Sequence, residues 1–241
     1  INYIMKNLLL IFSLSIVLFG CSSLELEAVS SSDEETQRIL AMGLSHEENL
    51  IEASKLKTAH MVSVVTLQLT NARDEKIQAE IDLATSEEFA NMVNVLGDGS
   101  KFIGSEVSES VKTGVLKTDI DLQNYYLEGT KDLTSGVIEH KLVFSISHNS
   151  KNERKYGSAN LCDEWNRCDM NNQEINVFPA NAKNCTTESC DYKEIMELNL
   201  SDDFLRNVVE KGLTIRFNAK RKSNKIKVSK AYLMGYLKVV Q

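Results

Sequence analysis

At 241 residues, with 42% hydrophobic content and a formal net charge of -7, the chain has the composition of a folded domain and not of a disordered or fibrous one. The acidic balance argues against nucleic acid as a partner. Four of the 5 cysteines fall between positions 162 and 190, a clustering that suits an oxidising compartment.

The first 21 residues read as an export signal. Met5 is taken as the start, with the four residues before it an upstream extension, and Lys6 supplies the positive end. Leu8 to Phe19 is a run of twelve residues in which only Ser13 and Ser15 are polar. A helix of that length spans roughly 18 Å, well short of a hydrocarbon core of about 30 Å, so the run is a signal core and not a membrane span. Leu18-Phe19-Gly20-Cys21 follows directly and resembles the lipobox of bacterial lipoproteins. Phe19 departs from that pattern, which has a small or β-branched residue there. The resemblance implies that the signal, residues 1–20, is removed and that Cys21 is lipidated on sulfur and acylated at its new amino group. It also implies an outer-membrane address, because Ser22 and Ser23 stand where an Asp retains such proteins at the inner membrane.

Residues 21–32 are a Ser-rich acidic tether. A helical segment is expected over 33–58, where Ser32 with Glu35 and Ser45 with Glu48 each fit a capping box. From His60 the apolar period changes to two, predicting a largely buried strand over 61–69. A second, half-buried strand is predicted over 76–84, where Ile77, Ala79, Ile81 and Leu83 alternate with polar residues. Further strands are expected at 113–126, 137–147, 174–178, 192–200, 213–219 and 225–229. Within 137–147, Ile138, Leu142, Phe144 and Ile146 share a face. Ser86 and Ser201 each look like the cap of a short helix, ended by Gly97 and Gly212, and the last ten residues also read as helix. Ser86-Glu87-Glu88-Phe89 with Val93 and Gly97 matches Ser201-Asp202-Asp203-Phe204 with Val208 and Gly212, at an offset of 115 residues. That correspondence reads either as a diverged internal duplication or as the shared chemistry of two strand-to-helix corners. The fold class expected is mainly β: an antiparallel β-sandwich over 59–241 with short corner helices.

Cys162, Cys168, Cys185 and Cys190 read as two disulfides, since zinc ligands are usually paired two to four residues apart and no His lies in the cluster. Proximity during oxidation favours two local rings, Cys162–Cys168 and Cys185–Cys190. A ring from Cys162 to Cys190 would stabilise more, at about 3.5 against roughly 2 kcal/mol. The segment they bound is polar and carries the sole tryptophan, Trp165. Trp165 is a candidate binding residue on a disulfide-bound loop, or else a cap on the core beneath it. Asp163, Glu164, Asp169, Asn171 and Asn172 offer oxygen ligands without the order or Gly of a calcium loop.

Other catalytic signatures are missing from the sequence. Phe102 stands where a dinucleotide loop beginning at Gly97 needs Gly, and Leu50 stands where a zinc-protease helix beginning His46-Glu47 needs its second His. No GxSxG elbow occurs. His140 shares the apolar face of its strand and reads as a core histidine or a general base, and His148 as an exposed turn. Lys220, Arg221, Lys222, Lys225, Lys227 and Lys230 form a basic stretch, either a contact for anionic polymers or headgroups or the guard of a sheet edge. The expectation is a lipid-anchored envelope module, without a cofactor, that binds an envelope protein or cell-wall polymer. The alternatives are a structural envelope protein or a hydrolase with a site the sequence does not reveal.

Overall fold

The computed structural model describes residues 31–113, 119–163 and 165–240. The signal, Cys21 and nearly all of the tether lie outside the described residues, as does Glu164. The described chain divides into two compact units that meet at Glu80 and Ile81.

The first unit is helical. Helix α1 runs over 31–40, α2 over His46–Ser54, and α3 over Ala59–Asn91. Ser45 caps α2 as its spacing predicts: Glu48 N donates to Ser45 Oγ, and Ser45 N donates back to a Glu48 carboxylate oxygen. Ser32 lies inside its helix and not at the start of one. It is buried within α1, its carbonyl accepts from Thr36 Oγ1, and Glu35 pairs with Arg38 instead. Ile39, Ala53, Val65 and Leu69 form a small core, with Leu50 and Leu56 against it.

The strands expected over 61–69 and 76–84 are not formed, because both segments belong to α3. No Gly or Pro occurs between 59 and 91, so nothing in that stretch terminates a helix. The helical period also explains the burial better. Met61 and Val62, then Val65 and Leu69, recur at spacings of three and four and point inward, whereas Leu67, which shares the period-two phase of Val65 and Leu69, is 60% exposed. The alternation over 77–83 is spread around the helix, and residues 73–81 are all exposed. The helical part of the chain therefore continues to Asn91.

The second unit is mainly antiparallel β. The strands are β1 (Asn94–Leu96), β2 (Lys101–Ile103), β3 (Val107–Thr113), β4 (Asp119–Lys131), β5 (Ile138–Ser150), β6 (Tyr156–Cys162), β7 (Asn176–Val177), β8 (Asn181–Lys183), β9 (Cys190–Ser201), β10 (Leu213–Ala219) and β11 (Asn224–Val228). A larger sheet has the order β1-β2-β4-β5-β9-β7, with β3 also on β4 and β8 also on β9; a smaller one has the order β11-β10-β6. Two helices complete the unit, α4 (Asp202–Val208) and α5 (Lys230–Val239). Both sheets and α5 feed one core. Phe144 of β5 stacks on Phe217 of β10 with ring centroids 4.5 Å apart, and Tyr232 of α5 meets Tyr125 of β4 edge-on at 5.9 Å. The C-terminal turn of α3 joins this core through Phe89, 5.0 Å from Tyr232. Gly235 permits that approach, since a Cβ there would lie 2.4 Å from the Ser86 carbonyl oxygen.

The two corners compared in sequence are not equivalent. Ser201 is a genuine N-cap of α4, accepting from Phe204 N at 3.2 Å. Ser86 sits inside α3, where its hydroxyl donates to the Leu83 carbonyl, and helix rather than strand precedes it. Gly212 follows α4 at φ +74, while Gly97, at φ +66, lies in the turn between β1 and β2. The two segments are thus not a structural repeat: similar corner chemistry serves two different structures.

Candidate functional site

The cysteines pair locally, Cys162 with Cys168 and Cys185 with Cys190. The first pair closes a tight loop at the end of β6. Within it, Asp163 accepts from Trp165 N at 2.9 Å, from Arg167 N at 2.8 Å and from Arg167 Nε at 2.7 Å. Burial pushes the Asp163 carboxyl up, yet these donors hold it below the usual carboxylate range. Asp163 N donates to Arg167 O, Asp169 N donates to Leu161 O, and Lys225 Nζ reaches Asn166 O at 3.1 Å. The described residues of the loop are therefore held by its own backbone and by a neighbouring strand. Trp165 nonetheless stays 72% exposed, so it does not cap the core.

Beside the loop lies a groove of about 530 Å³. Its floor is apolar, from Leu161, Phe204, Val208 and Leu213. Its rim carries Asp163, Asn166 and Asp169 from the loop, Asn207 and Lys211 from α4 and the turn after it, and Lys227 from β11. Trp165 sits in sequence between two of these rim residues.

The basic stretch is partly neutralised. Lys222 pairs with Asp121 at 3.1 Å and Lys230 with Glu210 at 2.6 Å. Lys225 and Lys227 are the outward residues of β11, alternating with buried Asn224, Ile226 and Val228. Since β11 ends the smaller sheet, this arrangement matches the guarding of an edge.

Both strand histidines are buried. The ring of His140 bonds Tyr236 OH through Nδ1 at 3.1 Å and Asp202 through Nε2 at 3.0 Å. Burial holds its pKa below the ordinary value, although Asp202 opposes this. His148 is not in an exposed turn. It lies in β5 at 4% exposure, stacked on Tyr192, with Nε2 2.8 Å from Glu194 and Nδ1 3.1 Å from Ser150 Oγ. Ser150, His148 and Glu194 have the order of a nucleophile, base and acid. However, the Ser150 hydroxyl donates its hydrogen to the Asn152 carbonyl at 2.6 Å, and the imidazole side chain has no exposed surface. This cluster serves the fold and does not present a nucleophile.

A second buried polar group was not anticipated from sequence. Arg154 donates to Asp121 at 2.7 Å and to Asn224 at 2.8 Å, and Tyr156 OH donates to the same Asn224 oxygen. Glu194 accepts from two successive backbone amides, Arg154 N at 2.7 Å and Lys155 N at 3.3 Å. That anion explains why Lys155 tolerates φ +61: the turn aims both amides at one carboxylate. Burial raises Asp121 and Glu194, but their donors outweigh it and leave both below the usual range. Burial also pushes Tyr156 up to about 12. A signal for this cluster did exist. Asp121 is in phase with Tyr125 and Leu127, His148 with Phe144 and Ile146, and Glu194 with Met196 and Leu198. A charged residue on the apolar phase of a strand announces a buried partner.

Among the described residues, no group of three or more His, Cys, Asp or Glu side chains is placed to hold a metal ion, and no helix is long and apolar enough to cross a membrane. The chain matches no family model, no curated protein and no solved structure. The functional reading therefore rests on the site itself.

Proposed function

We propose that the chain is a lipid-anchored envelope protein, held at the outer membrane through Cys21, whose β-rich unit acts as a non-catalytic binding module. One observation carries the binding part. The Trp165 loop is closed by a disulfide and by hydrogen bonds at both ends, yet it leaves a large aromatic side chain 72% in water. An indole held in water on a disulfide-closed loop is suited to anchor an interface, because Trp burial is a leading contributor to association. The adjoining groove supplies a concave surface of the size that ligands occupy.

The anchor reading rests on the sequence of residues 5–21. A tether of about twelve residues has an r.m.s. reach on the order of 20 Å, which keeps the module near the bilayer. Acylation with two or three chains makes such an anchor stable, at about 0.8 kcal/mol per buried CH₂.

Each half has its own test. Cys21→Ala is expected to abolish incorporation of a fatty-acid probe in cells, and label retained by the variant would sink the anchor. Trp165→Ala is expected to keep the circular dichroism spectrum and thermal midpoint while abolishing recovery of the crosslinked partner. Unfolding of that variant, or unchanged recovery, would sink the loop.

A further inference from the structure

We propose a second ligand site, a groove across β4, β5, β9 and β8 of the larger sheet that takes a single-chain anionic amphiphile, an aliphatic chain ending in a carboxylate or phosphate. The groove holds about 430 Å³ and shares no lining residue with the one beside the Trp165 loop. Strand pairing sorts its lining into two chemistries. Leu122 of β4 stands opposite Ser147 of β5, Ser147 opposite Lys193 of β9, and Lys193 opposite Asn181 of β8, so one row of side chains crosses four strands on one face. A second row runs from Asn149 through Asp191 to Lys183. The β4 side is apolar: Ile120 and Leu122 alternate with buried Asp121 and Gln123, and they are 60% and 42% exposed. The side formed by β9 and β8 carries Lys193 and Lys183.

Charge fixes where the head of the ligand sits. Asn149 and Asn184 donate to Asp191 at 2.7 and 2.8 Å and hold its carboxyl below the usual range. Asp191 therefore stays ionised opposite Lys183 and offsets that ammonium. Lys193 has no acid in its row. Its side chain and those of its row neighbours, Ser147 and Asn181, hold no hydrogen bond or ion pair to another described residue. An ammonium, a hydroxyl and an amide can all donate, so one carboxylate or phosphate accepts from the three together.

The spacing completes the match. Neighbouring strands lie about 4.8 Å apart, so the β9 backbone stands roughly 10 Å from that of β4. A ligand that meets both sides carries an apolar part and an anion separated by that span. A wholly apolar ligand would strip water from Lys193 without replacing it, and a small anion would leave Ile120 and Leu122 in water. The recessed lining suits one chain rather than a flat bilayer surface. The Cys185–Cys190 bond ties the turn after β8 to the first residue of β9, which sets the basic side before a ligand arrives and lowers the ordering cost of association.

Calorimetric titration of the purified full chain tests the two parts separately. The probes are octanoate, octanol with the same chain and no charge, and acetate with the same charge and no chain. Octanoate is expected to bind saturably and at least about tenfold more tightly than octanol, with no saturation by acetate. Lys193→Gln should bring octanoate down to the level of octanol, and Leu122→Ser should weaken it by about tenfold as well. Lys211→Gln, in the other groove, should leave octanoate binding unchanged. Lys193 is exposed and makes no side-chain contact that the fold needs, so Lys193→Gln decides the matter if Leu122→Ser misfolds. Octanoate binding no tighter than octanol, or retained by Lys193→Gln, or weakened equally by Lys211→Gln, overturns the site. Sedimentation with phosphatidylglycerol vesicles that needs Lys193, in a chain that does not bind octanoate, would assign the face to a bilayer and overturn the single-chain ligand. None of these readouts involves Trp165, so this site and the loop stand or fall separately.

Discussion

Removing the Arg154 side chain tests the account of the buried polar cluster. Arg154→Ala withdraws a donor from Asp121 and another from Asn224, which keeps Tyr156 OH, and the Asp121 side chain is only 3% exposed. Lys222 still reaches Asp121 at 3.1 Å, but its own side chain is 41% exposed and its charge is screened by solvent. Breaking one side of a buried pair typically costs about 3–5 kcal/mol, because the remaining charge loses its hydrogen bonds where water cannot replace them. For a domain of this size, each kcal/mol moves the thermal midpoint by roughly 2–4 °C, so a fall on the order of 10 °C is expected. The double variant Asp121→Asn with Arg154→Met removes the stranded charge as well, and it is expected to recover much of that loss. Thermal and urea unfolding followed by circular dichroism measures both. An Arg154→Ala cost below about 1 kcal/mol, or a double variant no more stable than the single one, would refute the buried-charge reasoning.

Three further outcomes follow from the geometry. Burial keeps the His140 pKa below 6.5, so as pH falls below that value the unfolded chain takes up the proton first and stability drops. His140→Gln should flatten the urea midpoint between pH 7 and the acid side of that window, and an unchanged slope would rule out this origin. Asp121, Glu194 and Asp202 are all held below their ordinary carboxylate values, so a separate loss is expected only once pH falls below about 4. Gly235→Ala forces a methyl to within 2.4 Å of the Ser86 carbonyl and should cost roughly 1–3 kcal/mol, read from the thermal midpoint. Opening the Cys162–Cys168 ring by a double Ser substitution should cost about 2 kcal/mol and red-shift Trp165 emission, and full retention of both signals would show that hydrogen bonds alone order the loop.

Much of the β-rich unit was legible because its strands alternate and end at clear signals. The strands expected at 192–200 and 213–219 lie inside β9 and β10, the one at 137–147 lies inside β5 but for its first residue, and the Ser201 cap, the Gly212 stop and the C-terminal helix are where side-chain chemistry places them. The local cysteine pairs follow from short spacing alone. Short strands such as β1, β2 and β8 carry too few residues to establish a period. The failure over 61–84 has a different cause. Its apolar residues satisfy a period of two in sequence, but a helix satisfies its backbone hydrogen bonds locally, and no breaker forces the chain to turn back. Whether Trp165 faced water or core was equally undecided by its neighbours in sequence, since both outcomes suit a polar loop. It was decided by the tertiary structure, which leaves the indole 72% in water while Phe204, Val208, Leu161 and Leu213 of α4, β6 and β10 floor a groove beside the loop. The buried cluster depends on tertiary structure most of all. In the chain, Asp121, His148 and Glu194 are marked only by their place on the apolar phase of a strand, which does not say which groups they meet. Only the pairing of β4 with β5 and of β5 with β9, and the return of β11, brings their charges close enough to offset the cost of leaving water.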